Sequence, residues 1–210
     1  MPGELLVLAA TSAPPPPVQT MFPPLAIGFF GLGVGYLIYG PQELLGFPRR
    51  SPEVDRTTGL WGIWMPGFMQ ALTGVLLFVA LSWFGLFSMQ RTLYMAALAF
   101  TAYGVHWFVI GRARYLGSDP RPNGLMAVPF AIISVLGIVV FFSAGDWAVG
   151  ILFIGLTLIY VTDFFASLGL WGASLFERAL GAVRILTGLW LMYLTWATVL
   201  DLALGRSVPT

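Results

Sequence analysis

Few side chains in this sequence can do chemistry, and five polar or charged ones lie inside long apolar stretches: Gln70, His106, Asp163, Arg184 and Thr187. The single histidine could titrate between pH 5 and 8. Without cysteine, the chain has no thiol nucleophile, no disulfide framework and no cysteine-ligated metal. One histidine and few carboxylates also argue against a metal or haem site. We therefore expect no cofactor, no metal and no enzyme activity.

Asp163 and Arg184 are spaced so that they can meet. Each lies about five residues from the same end of its apolar stretch, so antiparallel helices would hold them at one depth. A charge left alone within a bilayer is costly. We predict an intramembrane ion pair that serves as a structural clasp, with a binding site as the alternative. For His106 the alternatives are a neutral, hydrogen-bonded packing residue and a titrating gate.

The composition decides the class of protein. Apolar residues make up 58% of the chain and charged residues 9%, against roughly 45–50% and 25% in an average soluble domain. A soluble globule of this composition would expose large apolar patches and aggregate. A soluble enzyme, a nucleic-acid binder and a disordered chain are therefore excluded, and the sequence indicates an integral membrane protein whose surroundings are the lipid bilayer.

Six stretches, nearly free of charge, are long enough to cross a bilayer as helices of about 20 residues. They are Met21–Gly40, Leu60–Phe84, Thr92–Gly111, Gly124–Ala144, Trp147–Leu168 and Ala179–Leu202. They are too long and too uniformly apolar for barrel strands. We predict an all-α polytopic protein: a proline-rich N-terminal tail over 1–20, a bundle of six transmembrane helices over 21–204, and a C-terminal tail over 205–210.

The arginines predict the orientation of the bundle. The first, third and fifth loops hold Arg49, Arg50, Arg56, Arg112, Arg114, Arg121 and Arg178, whereas the opposite face holds only Arg91 and Arg206. Positive charge favours the cytoplasmic side. Both termini are then expected outside the cytoplasm, in a multi-pass protein of the cell membrane, specifically a bacterial inner membrane.

Glycine and proline mark places where the helices depart from simple packing. Gly31-x-x-x-Gly35 lets helix backbones approach closely, which predicts packing within the chain, with a subunit interface or a backbone-lined solute path as alternatives. Pro66 and Pro129 lie within predicted spans, and each frees a carbonyl. Because Gln70 follows Pro66 by one turn, the two could form a polar rung, although a structural kink is the simpler interpretation.

Several runs occur in order along the chain: Gly35-Tyr-Leu-Ile-Tyr-Gly40, Trp64-Met-Pro-Gly67-Phe-Met-Gln70, Tyr103-Gly104-x-x-Trp107 and Gly117-Ser-Asp119-Pro-Arg121-Pro122. This ordered set resembles the AmiS/UreI family of amide and urea channels. Other runs are Pro23-Pro24-Leu25, Phe100-Thr-Ala-Tyr103-Gly104-Val-His106-Trp107 and Gly181…Gly188…Tyr193. These are similar, more distantly, to the acetate transporter family.

The chain departs from both families at positions that bear on the solute. AmiS/UreI channels have several tryptophans along the fifth span, where this chain has Leu152, Gly155 and Ile159. The glutamate that those channels place before a glycine of the sixth span corresponds to Thr187. The opening asparagine of the acetate transporters corresponds to Met21.

These observations predict a channel or transporter for a small polar solute, with urea and short-chain amides ahead of acetate. The expected path is narrow and aromatic, and its candidate residues are Trp64, Gln70, Tyr103, His106, Trp107 and Thr187. The resemblance implies a cyclic homo-oligomer, a hexamer with one path per protomer. The alternatives are a proton-coupled acetate or monocarboxylate transporter, using His106 or Asp163, and a non-transporting membrane scaffold subunit.

Overall fold

The computed structural model describes residues 24–87 and 89–205. The described chain is helical, and six of its helices are long and apolar enough to cross a membrane, which confirms the predicted fold class. They are α1 (Leu25–Leu45), α2 (Pro52–Ser82), α3 (Thr92–Leu116), α4 (Arg121–Ser143), α5 (Trp147–Leu168) and α6 (Ala173–Leu204). The predicted tail over 1–20, the residues Met21–Pro23 and most of 205–210 lie outside the described residues, so the division into domains stays a prediction.

The helices extend beyond the apolar stretches at one end of the bundle. The helix α2 begins at Pro52 rather than Leu60 because Ser51 caps it, its hydroxyl accepting a hydrogen bond of 3.3 Å from the Val54 amide. The helix α1 continues past Gly40 to Leu45 and ends at Gly46, whose positive φ of 68° closes the C-terminus. These extensions carry polar side chains, including Glu43, into the helical bundle.

The six helices form a closed ring. Each packs against its neighbours in sequence, and α6 returns to pack against α1. The side chains that point inward are mostly aromatic and aliphatic, and Tyr36, Tyr103 and Trp107 are among the largest that are fully buried. Outward positions such as Val109, Ile132 and Val139 are exposed and apolar, as a surface in contact with lipid requires.

Glycines bring neighbouring helices of the ring into close contact. A Cβ atom added to Gly31 would lie 2.5 Å from the Met65 carbonyl oxygen, and one added to Gly35 would lie 2.7 Å from Cγ of Pro66. The Gly31-x-x-x-Gly35 motif therefore packs α1 against α2 within the chain, as the first of its interpretations predicts. Between α1 and α6, a Cβ on Gly40 would lie 2.9 Å from the carbonyl oxygen of Gly181.

Pro66 lies in a π-helical segment, Ile63–Phe68, in the middle of α2. Proline has no amide hydrogen for the regular helical hydrogen bond, and its ring crowds the preceding turn of the helix. A wider π-helical turn relieves both problems. An added residue rotates the helix after it by about 100° relative to a regular α-helix. The segment thus determines which side chains of α2 face the ring, whereas Pro129 lies within an unbroken α4.

Candidate solute path

A crevice of about 510 Å³ enters the ring from the predicted extracytoplasmic end. The start of α1, the connection before α3 and the connection between α4 and α5 border its mouth, where Arg91 and Asp146 lie. We call it the outer crevice. Deeper in, its lining is largely apolar and includes Leu32, Gln70 and Tyr103. Two of the predicted path residues, Gln70 and Tyr103, therefore line one cavity.

A second crevice, of about 210 Å³, enters from the opposite end. Its lining is far more polar than that of the first and comprises Tyr39, Glu43, Arg50, Ile110, Ala113, Arg114, Gly117, Ser118, Pro120, Asn123, Asp163, Ser167 and Arg184. We call it the inner crevice. The ring is therefore open to some depth from both ends, with charged groups at each mouth.

Aromatic side chains separate the two crevices. Along α3 the outer crevice reaches Tyr103 and the inner crevice begins at Ile110, a distance of about 10 Å at the helical rise. We call the buried rings in this interval the aromatic partition: Tyr36, His106, Trp107, Phe130 and Tyr160. The rings touch one another across the bore, so a solute passes only if some of them move.

Ring contacts join four helices of the partition. The centroid of Tyr36 on α1 lies 5.8 Å from that of Trp107 on α3. His106 on α3 stacks on Phe130 of α4 at 4.3 Å and 14°, and Phe130 stacks on Tyr160 of α5 at 5.4 Å. Such ring contacts stabilise the fold beyond the burial of their area, and they hold the partition closed in this conformation.

Two hydrogen bonds anchor Tyr103 at the outer side of the partition. Its hydroxyl lies 2.8 Å from the hydroxyl of Ser134 on α4. The Ser134 hydroxyl in turn donates a bond of 2.8 Å to the carbonyl oxygen of Phe130. Both side chains are buried, so this arrangement fixes the end of the Tyr103 ring that meets α4.

Gln70 and His106 are buried polar side chains without hydrogen-bond partners among the described residues. Gln70 is 0% exposed and His106 is 5% exposed. Within the described chain, neither amide atom of Gln70 and neither ring nitrogen of His106 has a hydrogen-bond partner. The stacking of His106 on Phe130 agrees with a packing residue, but the hydrogen bond expected for that interpretation is absent among the described residues. Unpartnered buried groups are rare, and they mark Gln70 and His106 as positions where a solute can bond.

The remaining predicted path residues lie in different places. Trp107 is buried in the partition, where its ring also packs edge-on against Tyr39 at 5.1 Å. Thr187 is buried on α6 at its contact with α5, where a Cβ on Gly155 would lie 2.5 Å from the Thr187 hydroxyl oxygen, and it lines neither crevice.

Trp64 does not face the path. It is 60% exposed on the outer surface of α2, with its ring 5.9 Å from that of Phe68. Helix geometry explains this correction, because six residues at about 100° per residue leave Trp64 and Gln70 about 120° apart even on a regular helix. Gln70 follows the segment and points inward.

Arg184 pairs with a different carboxylate from the predicted one. Its guanidinium donates a hydrogen bond to Glu43 of α1, whereas Asp163 accepts a bond of 2.7 Å from Ser167 on its own helix. Among the described residues, no ion pair joins Asp163 to Arg184. Because α1 and α6 approach closely at Gly40 and Gly181, Glu43 rather than Asp163 reaches the Arg184 guanidinium.

Further charged contacts tie the inner ends of α1, α2 and α3 together. Arg114 bonds Asp55 at 2.7 Å and also donates to the Gln42 amide oxygen. Gln42 donates in turn to Thr58 at 2.9 Å, and Arg50 bonds Asp55 at 3.3 Å. The rim of the inner crevice is thus a network of paired charges.

Two carboxyl groups in the connections between helices have shifted pKa values. Hydrogen bonds from Arg121 lower the pKa of Asp119 to about 2, so Asp119 stays ionised at physiological pH. Burial raises the pKa of Asp146, which caps α5 by accepting a 3.0 Å bond from the Val149 amide. Over the described part of the chain, no three His, Asp or Glu side chains come together to hold a metal ion.

Sequence reasoning missed Ser134, Glu43 and Tyr160. Ser134 was detectable as a hydroxyl within an apolar span, but serine and threonine commonly bond their own helix and so give a weak signal. Glu43 lies beyond the apolar stretch that defined the first span. Tyr160 is one of many aromatic residues, and only the closed ring shows that it faces the bore.

No family model matches the chain, and no curated protein matches it in sequence. Among solved structures it is similar to one titled "Structure of the bacterial acetate channel SatP", with a TM-score of 0.69 and 17% sequence identity. The match covers 90% of this chain and 97% of the other. This likeness shows a shared six-helix fold, and it agrees with the more distant of the two resemblances.

Proposed function

We propose that this protein is a passive channel through which a small polar solute crosses the membrane in uncharged form. The observation that carries the proposal is the pair of crevices, which enter one ring of helices from opposite ends and are separated by about 10 Å of aromatic side chains. A ring of this kind needs only side-chain motion to connect its two ends. The scaffold alternative would require the path to stay closed.

The distribution of charge supports an uncharged solute. Arginine and carboxylate side chains line the two mouths, whereas the aromatic partition and its outer face offer Gln70, Tyr103, Ser134 and His106 as polar groups. An ion that enters this zone loses its hydration, and Arg184, 5.9 Å from the centroid of the Trp107 ring, is already paired with Glu43. A small dipole keeps most of its hydrogen bonding.

Urea and short-chain amides are the first solute class. Gln70 lines the outer crevice, and its carbonyl oxygen and amide nitrogen form no hydrogen bond with any residue that the structure describes. A primary amide presents the complementary N–H and C=O groups, and it can bond both atoms at once. In this proposal Gln70 and Tyr103 bind the solute, His106 offers the next polar group, and Trp107 limits its size.

A short-chain monocarboxylic acid is the second solute class, and the likeness to a bacterial acetate channel favours it. Such an acid would cross protonated, so its flux rises as the external pH falls toward the pKa of the acid. A transporter that moves the proton on His106 or Asp163 would instead lose net uptake when a protonophore dissipates the gradient. We further propose a homo-oligomer, a hexamer with one path in each protomer.

The test is stopped-flow light scattering on proteoliposomes with urea, formamide, acetamide and acetate. We expect amide permeability above that of empty liposomes, and we expect Gln70→Leu to reduce it while the lipid-facing control Leu76→Ala does not. Acceleration by acetate alone, increasing at low pH, would select the acid instead. No acceleration by any solute would contradict a channel and favour the scaffold.

A further inference from the structure

We infer that Ser134 is a positioning residue that makes the Tyr103 hydroxyl a hydrogen-bond acceptor toward the solute. This inference rests on the proposed function, because it concerns which solutes the outer crevice selects. Its basis is the chain of contacts from the Phe130 carbonyl through Ser134 to Tyr103.

The direction of the hydrogen bonds follows from counting protons. A carbonyl oxygen only accepts, so the 2.8 Å bond between Ser134 and the Phe130 carbonyl uses the one hydroxyl proton that serine has. The 2.8 Å contact between Ser134 and Tyr103 must then use the proton of Tyr103. The Tyr103 oxygen is left with lone pairs and has no proton to give to a solute.

The packing of its ring keeps the Tyr103 hydroxyl at Ser134, away from other hydrogen-bond acceptors. Its ring centroid lies 5.6 Å from that of Phe130 and 5.6 Å from that of Tyr160. Ser134 is 0% exposed, and Phe130, whose carbonyl accepts the serine proton, lies one turn earlier on the same helix. The donor and the acceptor are thus held by α4 itself rather than by a mobile loop.

The Tyr103 oxygen, which can only accept a hydrogen bond from the solute, is a neighbour of Gln70. The helices α2 and α3 meet where a Cβ on Gly104 would lie 2.8 Å from Cα of Ala71, and the preceding residues, Tyr103 and Gln70, line the same outer crevice. Together they offer two acceptor oxygens and one amide group that donates. A solute with N–H groups satisfies both oxygens, whereas a solute that only accepts leaves the Tyr103 oxygen unpaired, which is costly.

The experiment compares acetamide, which has N–H donors, with dimethyl sulfoxide, which is similar in size and only accepts. Both permeabilities are measured by stopped-flow in proteoliposomes, with the rate of empty liposomes subtracted. In Ser134→Ala the Tyr103 hydroxyl loses its acceptor, so its proton can point at the solute. We then expect the ratio of acetamide permeability to dimethyl sulfoxide permeability to fall about fivefold, which is the effect of losing one hydrogen bond.

Matched variants separate positioning from packing. Ser134→Thr keeps the hydroxyl, and we expect it to retain the ratio. Thr157→Ala removes a hydroxyl that bonds the Phe153 carbonyl in the same intrahelical way at 2.9 Å, and we expect no change. In a Tyr103→Phe background, Ser134→Ala should leave the ratio unaltered, because the group it positions is gone. Equal changes for both solutes in Ser134→Ala would overturn the inference.

A spectroscopic measurement keeps this inference separate from the proposed function. Isotope-edited infrared spectra of the Tyr103 ring report whether its hydroxyl donates, and we expect the C–O stretching band to shift in Ser134→Ala but not in Ser134→Thr. An unshifted band overturns the role of Ser134 even if amides permeate. A shifted band with no flux of any solute supports the hydrogen-bond polarity and contradicts the channel.

Discussion

At the scale of single residues, Gln70 brings two amide atoms into the interior that have no hydrogen-bond partner in the described part of the chain. Leaving a buried polar group unpaired costs about 1–3 kcal/mol, and a hydrophobic side chain of similar size would avoid that cost. A side chain that destabilises the fold in this way is typical of a binding position.

We therefore predict that Gln70→Leu raises the melting temperature of the detergent-solubilised protein while it lowers amide flux in proteoliposomes. The change removes the unpaired amide and retains side-chain volume. Differential scanning fluorimetry and stopped-flow measure the two quantities on the same preparation. A lower melting temperature would show that Gln70 has a structural partner, and the interpretation of its free amide would be wrong.

The ion pair between Glu43 and Arg184 belongs to the same scale. Removing one partner of a buried ion pair typically lowers the free energy of unfolding by about 3–5 kcal/mol, because the other charge remains buried without a partner. Removing both partners lowers it much less. We predict that Arg184→Leu reduces the yield of folded protein more than Arg184→Leu with Glu43→Gln. Size-exclusion chromatography in detergent measures that yield.

The matched control is Arg184→Leu combined with Asp163→Asn. Because Asp163 bonds Ser167 rather than Arg184, this double variant should be as poor as Arg184→Leu alone. Recovery by Asp163→Asn and not by Glu43→Gln would restore the original prediction of an Asp163–Arg184 pair.

At the scale of elements, hydropathy predicts six helices, and α5 has the predicted bounds, Trp147–Leu168. Hydropathy does not predict the polar extensions of α1 and α2, because the first depends on contacts such as that of Glu43 with Arg184 and the second on the Ser51 cap. Nor does it predict which residues of α2 face inward. Pro66 indicates an irregularity, but the π-helical turn around it and its packing against Gly31 and Gly35 of α1 are visible only in the structure.

The contact between α1 and α6 depends on Gly40 and Gly181, and a Cβ on Gly181 would lie 2.7 Å from the Gly40 carbonyl oxygen. We predict that Gly181→Val separates these helices and lowers the melting temperature by several degrees, consistent with a loss of about 1–3 kcal/mol from overpacking. Ser174→Val, at an exposed position of the same helix, is the control. Equal stability of the two variants would contradict close packing at this contact.

At the scale of the whole molecule, the aromatic partition makes one barrier from side chains on several helices. Tyr103, His106 and Trp107 were predicted as path residues from one run of the third span, and the structure places all three in or beside the partition. Phe130 and Tyr160 were not predicted, since the sequence holds 17 phenylalanines and 7 tyrosines. Only the order of helices around the ring identifies the rings that meet at its centre.

Phe130 touches Tyr103, His106 and Tyr160, so its removal should open the partition most. We predict that Phe130→Ala increases acetamide permeability and admits propionamide, which we expect the unmodified protein to exclude. Stopped-flow with both amides measures the change, and Phe142→Ala, an exposed position of the same helix, is the control. Unchanged rates for both amides would show that the barrier lies elsewhere.

The return of α6 to α1 has a topological consequence. Leu25, at the start of α1, and Leu202, near the end of α6, border one shallow cavity at the same end of the ring. A short linker joining these neighbouring helices would make the backbone a closed loop, and new termini could be cut in an exposed connection such as 117–120. Such a circular permutant would retain every contact around the ring, with α4 as its first helix.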